Sequence, residues 1–235
     1  MDTTGLTRTF VELADTLVED FDVHELLHRL ADRCTELLPV DAVGMLLADD
    51  DGELHVALAS SESTRAVEVV QLQTSEGPCL QSFRDGEQVV VPDLTATTGQ
   101  WPHFTAAALE AGHRAAHALP LRLRGTTLGA MNLFQGDDTA PLDKEEVDVA
   151  QAMADVATIA VLQHRLARKH QLVAEQLQGA LTSRIAIEQA KGVLAARMGI
   201  SMEEAFARLR KRARSTQTSL SQVASDVVRA GRLLE

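Results

Sequence analysis

Seven cations crowd into two short windows in the last quarter of the sequence. Arg184 and Lys191 stand seven residues apart, and Arg208, Arg210, Lys211, Arg212 and Arg214 fill five of seven consecutive positions. Guanidinium and ammonium groups at this density neutralise phosphates, and binding of that kind depends steeply on salt. The surrounding segment has the same sign. Residues 180–235 carry ten Lys/Arg against five Asp/Glu, a balance of +5, and residues 1–179 carry twelve against twenty-nine, a balance of −17, giving −12 for the chain. A sequence divided this way has an acidic body and a cationic end. The same cations also suit an ordinary solvated helix face, because Glu188 falls four residues after Arg184 and three before Lys191.

A second set of chemical groups is sparse. The two cysteines, Cys34 and Cys79, form neither a metal signature nor a disulfide framework. Cys79 follows Gly77-Pro78 at the start of a short helix, where a thiol pKa can be lowered, so Cys79 is the candidate for a redox or ligand role. The simpler reading packs it behind a turn. Cys34 lies on an apolar helix face and reads as core. No nucleophile–base set, phosphate loop or metal cluster is legible, so the chain is expected not to be an enzyme.

The cations must be held by three short helices. Ala186, Ile187, Ala190, Val193, Leu194 and Met198 share one face of the first, which Gly199 ends. Ser201 with Glu204 reads as a capping box for the second, whose stripe is Met202, Ala205, Phe206, Leu209 and Ala213. Ser215 to Thr218 is a turn. Ser219 with Gln222 opens the third helix, with Leu220, Val223, Ala224 and Val227 inward and Gly231 as its stop. Arg184 and Lys191 lie opposite the first stripe, and the five cations from Arg208 to Arg214 surround the second helix away from its stripe.

The run Ala180-Leu181-x-Ser183-Arg184-x-x-Ile187-Glu188-Gln189-Ala190-Lys191-Gly192, with Glu204-Ala205-Phe206-x-x-Leu209-Arg210 and Leu220-x-x-Val223-Ala224, resembles the ANTAR family over nearly all of residues 180–235. That resemblance implies a three-helix RNA binder of the kind found in bacterial antitermination regulators, which recognise paired hairpins with small loops. It implies RNA contacts at Arg184, Lys191, Arg208, Arg210, Lys211, Arg212 and Arg214. One departure is Thr216-Gln217-Thr218, where many relatives carry an Asn. A DNA-binding regulator is the alternative, since a basic three-helix domain can mimic a helix-turn-helix protein.

Residues 5–20 and 22–38 read as two helices, the second with Leu26, Leu27, Leu30 and Cys34 inward and Pro39 at its end. Two hairpin patterns follow, one across Asp51-Gly52 and one across Arg124-Gly125. Between them lie a helix at 62–73, a short helix opened by Glu76-Gly77-Pro78-Cys79, a strand at 88–91 and a helix after Trp101-Pro102. The expected class is α+β: an antiparallel sheet with flanking helices, a long connecting helix, then an all-α bundle. The absence of Tyr and the single Trp101 argue against RNA modules that stack bases on aromatic sheets.

The motifs Glu76-Gly77-Pro78-Cys79, Val91-Pro92-Asp93-Leu94, Trp101-Pro102 and Pro120-Leu121-x-x-x-Gly125-x-x-x-Gly129-x-x-Asn132-Leu133 resemble the GAF family over about residues 22–165. The resemblance implies a sensory module that holds a small ligand, a chromophore or haem, or only dimerises. Neither ligand nor cofactor is assigned by the sequence. The cyclic-nucleotide motif is missing, and Leu80 rather than His follows Cys79, unlike bilin-attaching members. His103, His113 and His117 are haem-ligand candidates by type only. Free methionine sulfoxide reductases share this fold and use a set of cysteines, which Cys34 and Cys79 match poorly. GAF followed by ANTAR is a layout that recurs in actinobacterial regulators.

Residues 143–197 lack proline, and Val149, Met153, Val156, Ala160, Leu162, Leu166, Val173, Leu177 and Leu181 keep a three-four spacing. This is one long helix or two meeting near Gly179, and the pattern suits a coiled-coil homodimer. The expected layout is a sensory domain over 1–165, a connecting helix over 143–179 and an RNA-binding domain over 180–235. No apolar run spans a bilayer and no signal peptide is legible, so a cytoplasmic protein is expected.

Overall fold

The computed structural model describes residues 3–15 and 22–230, in two compact units, 1–165 and 166–235. In the first unit, helix α1 (Thr3–Asp15) precedes α2 (Val23–Leu37). Asp22 caps α2 by accepting from the backbone N–H of His24 at 2.8 Å. The second half of the helix expected at 5–20, with Leu17, lies outside the described residues, as does Gly231.

Five strands follow: β1 (Ala42–Ala48), β2 (Leu54–Ala59), β3 (Val89–Val91), β4 (Ala115–Leu123) and β5 (Thr126–Gln135). They form one antiparallel sheet in the order β2-β1-β5-β4-β3. Both expected hairpins form. Arg124 (φ 49°) and Gly125 (φ 83°) make the two-residue connection between β4 and β5, the left-handed pair that matches strand twist. At the other hairpin the Asp49 carboxylate accepts from the N–H groups of Asp51 and Glu53, each at 3.0 Å.

The sheet is covered on both faces. On one, α1, α2 and the start of α6 (Lys144–Met198) bury Leu26, Leu30, Cys34, Met153 and Ala157 against Val43, Met45, Leu119, Met131 and Leu133. On the other, α3 (Glu62–Thr74), α4 (Pro78–Asp85) and α5 (Pro102–Glu110) cover Ala42, Leu46, Ala116, Ala118, Ala130 and Phe134. The inward strand residues on this second face are mostly small.

Helix α6 is a single element of 55 residues, which settles the choice between one helix and two. Its start is a reciprocal capping box: Glu146 N–H donates to Asp143 Oδ1 and Asp143 N–H to Glu146 Oε2, both at 2.8 Å. Gly199 ends it at φ 64°. In the second unit, α6, α7 (Met202–Thr216) and α8 (Leu220–Ala230) bury Ala190, Leu194, Ala205, Leu209, Ala213, Val223, Ala224 and Val227 together. The three expected stripes meet in this core except at Met198 and Met202, which lie at the helix ends and are exposed.

Candidate functional site

Ser201 accepts from the Glu204 N–H at 3.1 Å and so fixes where α7 begins. The Glu204 carboxylate does not complete the expected capping box; it accepts from Arg208 at 2.9 Å. With α7 anchored through Ala205, Leu209 and Ala213, its 3.6-residue period puts Arg210 and Arg214 on one flank, Arg208 and Arg212 on the other, and Lys211 opposite the core.

The cations differ in how committed they are. Among the described residues, Arg184, Lys211 and Arg214 are exposed and make no ion pair. Lys191 is only 18% exposed, and both Glu188 oxygens lie 2.9 Å from its Nζ. Arg208 is shared between Glu204 and the Met198 sulfur, and Arg212 is half-buried. Lys191 Nζ from α6 and Arg210 Cζ from α7 each lie 5.7 Å from the centroid of the half-buried Phe206 ring, within cation–π range. Phe206 was assigned to the apolar stripe from the sequence. Its role in gathering cations from two helices was not legible, because the partner on the other helix depends on the crossing.

The first unit holds a buried polar cluster beneath α3 and α4. Glu68, fully buried, accepts from Asn132 Nδ2 at 2.8 Å and from Gln71 Nε2 at 2.7 Å. Gln71 Oε1 in turn accepts from the backbone N–H of Cys79 at 3.1 Å. Two glycines admit these side chains. A Cβ on Gly44 would stand 2.1 Å from Glu68 Oε1, and one on Gly77 2.2 Å from Gln71 Oε1. Of these residues only Cys79 carries a chemical signal in the sequence.

Cys79 does sit at the helix start expected of it, but the inference of a lowered pKa is reversed. It is fully buried, and burial pushes its thiol well above the ordinary value, with Glu68 nearby adding to the effect. Burial likewise pushes the Cys34 thiol up to about 12. The two cysteines belong to core clusters on opposite faces of the sheet. The histidines are also dispersed. His103 Nδ1 lies 2.9 Å from Glu76, His117 Nε2 lies 3.1 Å from Gln135, and His113 stacks on Phe134 at 4.3 Å. Burial lowers the pKa of His113 and His117.

Residues 22–162 match the GAF domain model and residues 175–228 the ANTAR domain model. The chain belongs to the GAF domain family, and it carries an ANTAR domain after the GAF domain. No curated protein matches it. The fold of the first unit is shared with the GAF domain of the cyanobacteriochrome TePixJ (TM-score 0.52, 19% identity, 64% of this chain and 95% of that one). It is also shared with the GAF domain of an Acinetobacter phosphoenolpyruvate-protein phosphotransferase (TM-score 0.55, 12% identity, 71% and 97%). A third neighbour is the free methionine-R-sulfoxide reductase of Neisseria meningitidis (TM-score 0.53, 17% identity, 71% and 95%). The last is an enzyme, but the domain content of this chain is that of a regulator with a sensory domain. No helix among the described residues is long and apolar enough to cross a membrane.

Proposed function

We propose that the protein is an RNA-binding regulator that acts by transcription antitermination, reading paired hairpins through its ANTAR domain under control of its GAF domain. The observation that carries this reading is the cationic face of α6 and α7, with Lys191 and Arg210 gathered on Phe206 inside the ANTAR match and Arg184, Lys211 and Arg214 exposed beside them. Each cation that meets a phosphate releases counterions and adds to the salt slope. Arg184→Ala and Lys191→Ala are expected to weaken hairpin binding and flatten that slope with the bundle still folded. Unchanged affinity at two salt concentrations would move the contact face to Arg208–Arg214. Competition between hairpin RNA and duplex DNA separates this reading from a DNA-binding regulator.

The protein acts as a homodimer joined through α6 in this reading. Leu166, Val173, Leu177 and Leu181 are 55, 47, 67 and 53% exposed, a row of large apolar side chains along one helix. A dimer presents two basic faces, so a second hairpin binds at raised effective concentration. Replacing Leu166 and Val173 by Glu is expected to give monomers in sedimentation and to reduce affinity for a two-hairpin RNA towards that for one. A double variant that stays dimeric would place the interface elsewhere.

A further inference from the structure

The space between the sheet and α3 and α4 holds the chain's own carboxyl group, and among the described residues no cation pairs with it. Glu68 is fully buried, and its hydrogen-bond partners are two neutral amides, Asn132 on β5 and Gln71 on its own helix. The Gln71 amide is oriented by the backbone of α4, since its oxygen accepts from Cys79 N–H. The Asn132 amide has an acceptor to spare. Its Oδ1 is buried without a partner while its Nδ2 serves Glu68. A carboxylate suits that arrangement, and a carboxylic acid suits the turned one, donating its O–H to Asn132 Oδ1.

We propose that Glu68 is a proton-operated latch of the sensory unit: its hydrogen bond with Asn132 ties α3 to β5, and on losing its proton the buried carboxyl holds a charge that two neutral amides balance only in part, which loosens α3 and α4 from the sheet. Elements packed around it hold one other titratable group that faces it, Cys79 on α4, which is itself kept neutral by burial. The charged or titratable side chains of α3, α4 and α5 (Glu62, Arg65, Arg84, Asp85, His103 and Glu110) are exposed. On the strands, His117 alternates with Ala116 and Ala118 and so faces the opposite side of the sheet, and Arg122 is exposed. Burial pushes the Glu68 carboxyl up to about 7, against the pull of Asn132 and Gln71 in the other direction.

The sign follows from linkage. The folded carboxyl holds its proton to higher pH than the unfolded one, so the stabilisation is complete below 4.5 and declines as pH rises to about 7. Above that range the loss is complete and the profile is flat. The inference concerns the sensory unit alone and stands whether or not the RNA reading holds.

The test uses the full chain labelled at Glu carboxyl carbons, with Glu68→Gln for assignment. Gln at this position offers a permanent donor to Asn132 Oδ1. One carboxyl carbon is expected to titrate near neutral pH and to be missing from the variant. Between pH 5 and 7, hydrogen-exchange protection of α3 and α4 amides in the wild type should fall with rising pH, by at most about tenfold per unit. It should stay flat in the variant, with α7 and α8 amides as internal reference. Titration of Glu68 in the ordinary carboxyl range in folded wild type overturns the proposal, and this reading needs no variant. Identical α3 and α4 profiles in both proteins overturn it as well.

Discussion

Both carboxylate oxygens of Glu188 lie 2.9 Å from Nζ of Lys191, so this ammonium already holds an anion from its own helix. The Glu188 side is exposed, so this i,i+3 pair contributes little to stability and its carboxylate can be exchanged for a phosphate. In the RNA-binding function proposed above, Glu188 competes with RNA for Lys191. Glu188→Gln is expected to tighten hairpin binding at low salt and to steepen the log–log salt slope by up to about 0.7, the value for one more single-strand phosphate contact. Filter-binding titrations across salt concentrations measure both. A slope unchanged from wild type would leave Lys191 outside the contact.

Gly44 is a position where one methyl group meets a buried carboxyl. Gly44→Ala places its Cβ 2.1 Å from Glu68 Oε1 and 2.7 Å from Cδ, and overpacking of this kind costs about 1–3 kcal/mol. Chemical denaturation should show that loss in the first unit. In the double variant with Glu68→Ala, the two costs should fall short of their sum, because the second change vacates the space the first one needs.

Glu76 fastens the loop before α4 to the start of α5. Its carboxylate accepts from the backbone N–H of His103 and approaches His103 Nδ1, each at 2.9 Å, across 27 residues of chain. The His103 hydrogen bond lowers the Glu76 pKa below 4.5, so the stabilisation is present above the unfolded value and is lost as pH falls through the lower, folded one. Glu76→Ala is expected to lower the thermal midpoint at neutral pH and to erase this component of acid sensitivity. Melting curves of the two proteins in acid should converge.

Cys79 is expected to resist oxidation in the folded protein, since its thiolate is disfavoured and its sulfur is shielded. Peroxide should leave RNA affinity unchanged, and thiol reagents should modify Cys79 only after unfolding. A peroxide response of the wild type that disappears in Cys79→Ser would restore the redox role.

Local signals carried most of the fold into view. Asp22, Ser201 and Ser219 mark helix starts through side-chain bonds made within a few residues, and Arg124-Gly125 specifies its hairpin by backbone conformation. The order of strands was not legible, because pairing between β1 and β5 joins residues about ninety apart with no local mark. For the same reason the cluster of Gly44, Glu68, Gln71 and Asn132 was hidden. Each looks ordinary in its own segment, and Glu68 and Gln71 fall inside a plain amphipathic helix. The cations were legible as a group but not individually. The spacing offered Lys191 its Glu188 partner but placed it opposite the apolar stripe, whereas the helix crossing sets it beside Phe206. Gln217 shows how a departure from family pattern is absorbed: it takes the left-handed position at φ 52° that ends α7, where Asn is tolerated more readily than Gln.

The small residues on the α3 side of the sheet have a consequence for how such a domain diversifies. Gly44, Ala116, Ala118 and Ala130 leave room above the strands, and two long side chains from α3, Glu68 and Gln71, reach into it against Gly44 and Gly77. Shortening those two side chains hollows a chamber without touching any strand register, and lengthening them closes it again. The sheet is thus a fixed floor, and α3 is the element on which the contents of the chamber can drift. A lineage built on this plan can exchange an internal group for a diffusible one through changes at positions 68 and 71, while the hydrogen-bonded frame that holds the fold stays as it is.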